Sequence, residues 1–234
     1  MDKELNTKMQ LTSANSINVA RFLPQMFYYF YAYAQLARMG APLDNIVISV
    51  PSGNFGNITA GLIGKRMGLP IKRFIAANNR NDIFFQYLQT GEYTPRPSIA
   101  TIANAMDVGD PSNFARILDL YRQSHTAIAS EISGCTYTDE EIAETLKDTY
   151  NATGYLLDPH GAVGYRSLLE NLKENEIGVF LETAHPAKFK DTVEDIIKNE
   201  VEIPAKLAEF MKGTKSTVKM SSAFPAFKKY LLSV

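Results

Sequence analysis

Short runs of aliphatic and β-branched residues alternate along this chain with longer stretches whose apolar positions recur at helical spacing. The alternation predicts strands over Ile46–Val50, Arg73–Ala77, Ala127–Ile132, Gly154–Leu157 and Ile177–Glu182. It predicts helices over Val19–Met39, Ile58–Met67, Ile83–Gln89, Asn113–Ser124, Asp139–Thr153, Gly161–Glu170 and Ala187–Asn199. Strands separated by helical segments build a parallel sheet, because each crossover returns the chain to the same edge. The expected fold class is therefore α/β, an open, mostly parallel sheet flanked by helices on both faces. The pattern weakens between Gly91 and Pro111, where Thr94-Pro-Arg-Pro-Ser98 and Asp107-Val-Gly-Asp-Pro111 carry turn residues. That stretch reads as an excursion across the sheet edge or as a lid. The expected division is a polar lead-in over 1–14, an α/β domain over 15–202, and a C-terminal helix and tail over 203–234. A polar lead-in and a long helix ahead of the first strand suit the later part of a longer polypeptide.

Bulk properties narrow the function. The 234 residues carry a formal charge of −1 with no basic block, which argues against extended nucleic-acid binding. One cysteine, Cys135, excludes an internal disulfide and a cysteine-cluster metal site, and suits a reducing cytoplasm. The three histidines show no metal-ligand spacing, so no metal is expected. Val19–Ala37 is aromatic but carries Arg21, Pro24, Gln25 and Gln35, and reads as a buried core helix, not a membrane span. The polar start Met1-Asp-Lys-Glu-Leu-Asn6 is followed by no apolar signal region, so secretion is not expected.

The most informative segment is Ile46-Val-Ile-Ser-Val-Pro-Ser-Gly-Asn-Phe-Gly-Asn57. A β-prone run enters a tight polar loop, and a helix-compatible stretch follows at once. Backbone N–H groups at such a helix start, together with the helix dipole, form an anion site, and Gly53 and Gly56 let the backbone approach closely. The segment is neither a Walker loop nor a dinucleotide fingerprint. Local pattern leaves two readings: a phosphate cradle, or an ordinary strand-to-helix turn capped by Asn57.

Three further clusters follow the same logic. Asn15-Ser-Ile-Asn-Val-Ala-Arg21 offers short polar groups and a planar guanidinium, or alternatively a helix cap with Arg21 in solvent. Glu182-Thr-Ala-His-Pro-Ala-Lys-Phe-Lys190 places Thr183 and His185 at the end of the last strand. Leu156-Leu-Asp-Pro-His-Gly-Ala162 offers Asp158 and His160, as helix-start groups or as site residues. In parallel sheets, ligands bind at the carboxyl ends of the strands, where most of these segments fall.

Five segments together resemble motifs of threonine synthase: Pro51-Ser-Gly-Asn-Phe-Gly-Asn57, Asn15-Ser-Ile-Asn18 with Arg21, Ala105-Met-Asp-Val-Gly-Asp-Pro-Ser-Asn-Phe114, Asp158-Pro-His-Gly-Ala-Val-Gly164 and Thr183-Ala-His-Pro-Ala-Lys-Phe189. That family consists of pyridoxal 5'-phosphate (PLP) enzymes of the tryptophan-synthase β-like group, also called fold type II. The resemblance runs from Leu11 to about Lys198 and implies the large domain of such an enzyme. It implies conversion of O-phosphohomoserine and water to L-threonine and phosphate, the carbon–oxygen lyase chemistry of threonine biosynthesis. It implies that Ser52, Gly53, Asn54, Phe55, Gly56 and Asn57 hold the cofactor phosphate and that Thr183 meets the pyridine nitrogen. Asn15, Ser16, Asn18 and Arg21 would line the substrate side. Asp107, Asn113, His160 and His185 match family motifs without an assigned step.

The resemblance also implies an absence. The Schiff-base lysine of the family lies in a first half that this chain does not match, and Lys190 belongs to a different motif. The expectation is thus the C-terminal part of a threonine synthase, without a catalytic residue of its own and inactive alone. An exposed face near Asn15–Tyr33 would then bind the missing half or drive self-association. The competing expectation is a non-catalytic α/β module for a phosphorylated metabolite or nucleotide.

Overall fold

The computed structural model describes residues 2–12 and 15–233; Met1, Ser13, Ala14 and Val234, which fall in the expected lead-in and tail, lie outside the described residues. The chain divides into two compact units, one formed by the stretch before Ser16 together with that from Ile203 onward, the other by Ser16–Glu202. In the first, helices α1 (Lys3–Lys8), α11 (Ala205–Met211) and α12 (Phe224–Leu231) are present. Lys228 Nζ there bridges Asp2 at 2.8 Å and Glu4 at 3.0 Å.

The second unit is an α/β layer structure. Strands β1 (Ile46–Pro51), β2 (Ile71–Asn78), β3 (Ile132–Thr136) and β4 (Ile177–Phe180) form one sheet in the order β3-β2-β1-β4, with every pair parallel. Ser49 pairs with Ile75 on one side and Phe180 on the other, so the strands end along a common edge. The central strand is buried on both faces, as parallel sheets require. Ile46, Ile48 and Val50 pack into the core with Tyr29, Ile58 and Leu62, which lie on α3 (Met26–Arg38) and α4 (Gly56–Arg66). Val47 faces the other way, onto Leu168 of α9 (Pro159–Asn171), and Ser49 Oγ meets Ser167 Oγ at 2.6 Å.

Three expectations need correction. The single helix predicted over Val19–Met39 is α2 (Val19–Phe22), a 3₁₀ turn over Leu23–Gln25 and α3, because Pro24 sits at the start of that turn and cannot donate to a continuous ladder. Ala127–Ile132 is not a strand. Ser124 caps a helix, α7 (His125–Glu131), by accepting from the Ala127 N–H at 3.2 Å, and β3 follows it. Gly154–Leu157 is coil: Gly154, at φ 74°, ends α8 (Asp139–Thr153), and the sheet already ends at β3 and β4. The remaining helices of this unit are α5 (Ile83–Thr90), α6 (Phe114–Leu120) and α10 (Lys190–Ile197).

At the amino-terminal edge Glu176 anchors the sheet. Its carboxylate, 1% exposed, accepts from Arg73 Nη2 at 2.6 Å and Nε at 3.1 Å, and Lys72 Nζ lies 3.2 Å away. Arg73 above all holds the Glu176 carboxyl down at about 2. A depressed carboxyl stabilises the fold above its ordinary value of 4.5, and that stability is lost as pH falls towards 2. Glu176→Gln is expected to lower stability at neutral pH by about 3 kcal/mol and to flatten the acid limb between pH 4.5 and 2. Urea melts at stepped pH check both.

Candidate functional site

Four polar segments leave the common carboxyl edge of the sheet. Pro51 closes β1, and the loop that follows turns through Phe55, a non-glycine residue at φ 61°. That backbone conformation disfavours a side chain, so something must hold it. The ring of Phe55 is 2% exposed and packs against Phe84 with centroids 4.6 Å apart. Burial of the ring fixes the turn, and α4 starts at Gly56. Asn57 is therefore not the helix cap: it lies inside the first turn, where its Nδ2 donates to the Pro51 carbonyl at 2.8 Å. Tyr29 Oη donates to the Asn57 carbonyl at 2.7 Å and locks the helix start onto α3.

The result is a cradle of donors. Among the described residues, the backbone N–H groups of Gly53, Asn54, Phe55, Gly56 and Asn57 meet no acceptor, although Phe55 and Gly56 are buried. The N–H groups on either side are used: Ser52 donates to Ala77 at 2.8 Å and Ile58 to Asn57 Oδ1 at 2.9 Å. Buried amides without partners are rare in native proteins. Five in sequence at the positive end of an eleven-residue helix match an anion of the phosphate class. The donor set thus fits the phosphate of PLP.

Side chains brace this loop from two directions. Asn54 Nδ2 donates to Ser16 Oγ at 2.5 Å, and Asn54 Oδ1 accepts from the N–H and Oγ of Ser112 at 2.7 and 2.9 Å. Asn113, fully buried, donates to the Asn54 carbonyl at 2.8 Å and to Ser16 Oγ at 3.2 Å. Arg116 completes the cluster: it donates to Asn113 Oδ1 at 2.7 Å and to the Ile17 carbonyl, and covers the Phe22 ring at 4.8 Å. Arg116 is not among the residues expected from sequence. Its spacing three residues after Asn113 on a helix start is the one signal that pointed to it.

The other side of the loop rests on Ala105 and Met106. A Cβ on Gly53 would lie 2.7 Å from Met106 Cα and 2.9 Å from the Ala105 carbonyl oxygen. Asp107 holds this floor by accepting from Asn79, Asn81 and Thr101, and His160 Nε2 accepts from the Ala105 N–H at 3.1 Å. That bond leaves the His160 proton on Nδ1, which donates to Asp158 Oδ1 at 2.6 Å. The excursion from Gly91 to Pro111 is thus pinned at its end to the cradle floor.

The remaining expected residues are less closely gathered. Thr183 is exposed three residues beyond β4, whose neighbour in the sheet is β1, and its hydroxyl has no partner among the described residues. His185 is exposed and caps the turn Pro186–Phe189 by accepting from the Ala187 N–H at 3.1 Å. Asn18 caps α2 by accepting from Ala20 at 3.0 Å, and Arg21 is exposed. Asn15 is exposed and groups with the other unit. Lys190 Nζ is committed to Glu194 at 2.8 Å and to the Val201 carbonyl at 2.9 Å, and Glu194 holds its ammonium above the ordinary range. A lysine kept protonated in that way is a poor nucleophile. Among the described residues no His, Cys, Asp and Glu cluster suits a metal ion, and no helix is long and apolar enough to cross a membrane.

A parallel sheet with an amide cradle at its carboxyl edge fits the class shown by comparison: residues 10–182 match the family described as pyridoxal-phosphate dependent enzyme, and the chain belongs to that family. Within it, residues 161–231 match the family described as threonine synthase, C-terminal, which carries the similarity beyond the expected limit near Lys198. Threonine synthase of Haemophilus influenzae is 45% identical over 231 residues, covering 99% of this chain and 53% of that protein. The crystal structure of threonine synthase from Escherichia coli superposes with a TM-score of 0.89 at 42% identity, covering 99% of this chain and 53% of the other. The PLP-bound threonine synthase from Brucella melitensis gives 0.86 at 34% identity, covering 98% of this chain and 54% of the other. The chain spans about half the length of the curated relatives it matches.

Proposed function

We infer that this chain is the later part of a threonine synthase, the part that holds the cofactor phosphate, and that it does not turn over O-phosphohomoserine by itself. The observation that carries the reading is the run of five unpaired amides at residues 53–57 in a chain of the pyridoxal-phosphate dependent family. When bound, the cofactor supplies an electron sink for proton transfers at carbon. The chain's own residues bind and orient. Ser52 to Asn57 grip the phosphate, with Ser16, Asn54 and Asn113 fixing the loop's shape. Thr183 offers its hydroxyl to the ring nitrogen, and a neutral hydroxyl there leaves that nitrogen largely unprotonated, where a carboxylate would favour its proton. Ser16, Asn18 and Arg21 line the substrate side; a guanidinium suits the phosphate or carboxylate of O-phosphohomoserine.

The α/β domain is assigned to 15–202, between a lead-in and a C-terminal tail, and the cytoplasm is assigned as its working place, where the lone thiol Cys135 stays reduced. The first half of the parent enzyme, or a second copy of this chain, is assigned to the aromatic face of α3, where Phe27, Tyr28 and Tyr31 are 61–67% exposed.

Mixing the chain with PLP and O-phosphohomoserine tests the reading. The chain alone should release no phosphate and give no stoichiometric borohydride-reduced adduct on Lys188 or Lys190. Phosphate release should appear when a polypeptide with the lysine-bearing first half of a threonine synthase is added. Turnover by the chain alone, or preferential binding of flavin mononucleotide over PLP, would overturn it.

A further inference from the structure

The exit of β4 carries a half-buried acid, with one buried and unpartnered oxygen, that none of the chemistry above uses. Glu182 Oε1 accepts from the Asp158 N–H at 2.9 Å, while Glu182 Oε2 and Asp158 Oδ2 are both buried and have no donor partner. The Asp158 N–H bond thus brings the two carboxyl groups together with one buried, unmatched oxygen on each. Asp158 Oδ1 is already occupied, accepting from His160 Nδ1 at 2.6 Å and from the His160 N–H at 2.8 Å. The Glu182 carboxyl lies hard against the Gly161 backbone, where a Cβ would lie 1.9 Å from Oε2. Two buried acceptors facing each other without a donor are repulsive when both are charged, and are satisfied by one proton between them.

We propose that Glu182 is a positioning residue whose carboxyl group shares one buried proton with Asp158, latching the exit of β4, and with it Thr183, to the His160–Ala105 contact that floors the cradle. This rests on the proposed role of Thr183 and the cradle. Loss of the proton would set two carboxylates against each other and release the strand exit beside Thr183. The groups facing Glu182 are Asp158 and, through it, His160 at the start of α9, and Tyr155 on the coil before it. Burial first, and then the charge of Asp158, push Glu182 up to about 8, while the hydrogen bonds from His160 outweigh burial and bring Asp158 below its ordinary range.

Glu182→Gln is the discriminating variant, because its amide copies the protonated acid, with an oxygen for the Asp158 N–H and an N–H for Oδ2. Pyridoxine 5'-phosphate, which lacks the aldehyde, serves as probe by calorimetry from pH 6.5 to 9.5. In the wild type its Kd should rise roughly tenfold per pH unit above about 8, and the rise should be absent in Glu182→Gln. A raised folded-state pKa gives stability that is complete below the ordinary 4.5 and lost as pH rises through 8, so the wild-type Tm should fall across that window relative to the variant. Carboxyl-carbon NMR of glutamate-labelled wild-type protein needs no variant, and one glutamate should titrate near 8. Equal pH dependence of binding in the two proteins, or glutamate carboxyls that all titrate below 6, would overturn the latch and leave the cradle standing. No probe binding at any pH, with the NMR titration intact, would overturn the cradle reading and Glu182's positioning role with it.

Discussion

Alanine at Gly53 is expected to weaken PLP binding about a hundredfold while leaving the chain folded. The added methyl would meet backbone, not side chain, at 2.7 Å from Met106 Cα and 2.9 Å from the Ala105 oxygen. Neither atom is free to yield. The Ala105 N–H is bound to His160 Nε2, the Met106 N–H donates to Ala103 at 3.0 Å, and Asp107 is tied to three side chains. The loop must therefore move, and the amides of residues 53–57 move with it. Hydrogen bonds to a charged group are worth about 1.5–3 kcal/mol each, so loss of one or two gives about 3 kcal/mol, or two decades in Kd. Gly56→Ala is the control. Its Cβ would meet Ser16 Cβ at 3.2 Å and the Asn113 amide at 3.5 Å, contacts that a shift of a few tenths of an ångström relieves, and less than tenfold is expected. Fluorescence titration of both variants checks the contrast, and wild-type affinity in a folded Gly53→Ala protein would sink the cradle geometry.

The sheet and its ligand edge were legible because β1 and β2 are aliphatic runs buried at the centre of the sheet, and β4, though a half-buried edge strand, is still a β-prone run bounded by polar turns. Strand β3 was misplaced for a physical reason. Its Ile132-Ser-Gly-Cys-Thr136 run is weakly apolar because an edge strand packs against helices with partial burial, and Gly134 leaves room for Leu88 and Phe85. The apolar Ala127-Ile128 just ahead attracted the strand assignment, although Ser124 caps a helix there. At the site, each loop was legible as a motif, since spacing along the chain carries it. Contacts between motifs were not. Asn54 meets Ser112 across 58 residues, and Asp158 meets Glu182 across 24, so neither the bracing of the cradle nor the buried acid pair leaves a local signature. The Gly91–Pro111 excursion likewise reads as a lid from its turn residues, because the bonds by which Asp107 knots it down reach back to Asn79 and Asn81.

That knot makes Asp107→Ala the most destabilising single change expected in the excursion. Asp107 Oδ1 accepts from Asn79 Nδ2 at 2.8 Å, Asn81 Nδ2 at 3.1 Å and Thr101 Oγ1 at 2.8 Å, and Oδ2 accepts from the Thr101 N–H at 3.0 Å. Asn79 and Asn81 are 0% and 4% exposed, so water cannot replace the lost acceptor without opening the structure. Asn79 keeps Thr101 Oγ1 and the Ala103 carbonyl, and Asn81 keeps the Ile99 carbonyl, so the amides are stranded only in part. A partly stranded buried donor costs about 1–3 kcal/mol, which puts the total near 3–4 kcal/mol and the fall in Tm near 10 °C. Asp107→Asn preserves shape but turns a donor towards donors, and about half that loss is expected. The two outcomes separate packing from acceptor capacity. Limited proteolysis should cut first between Thr94 and Thr101 in Asp107→Ala, and PLP affinity should fall further than the Tm change alone explains, because Ala105 and Met106 then keep only the His160 bond and their own local turn. A variant that melts within 2 °C of wild type (a change of under about 1 kcal/mol) and resists protease would show that the excursion is held by its apolar contacts, with Asp107 a bystander to the cradle floor.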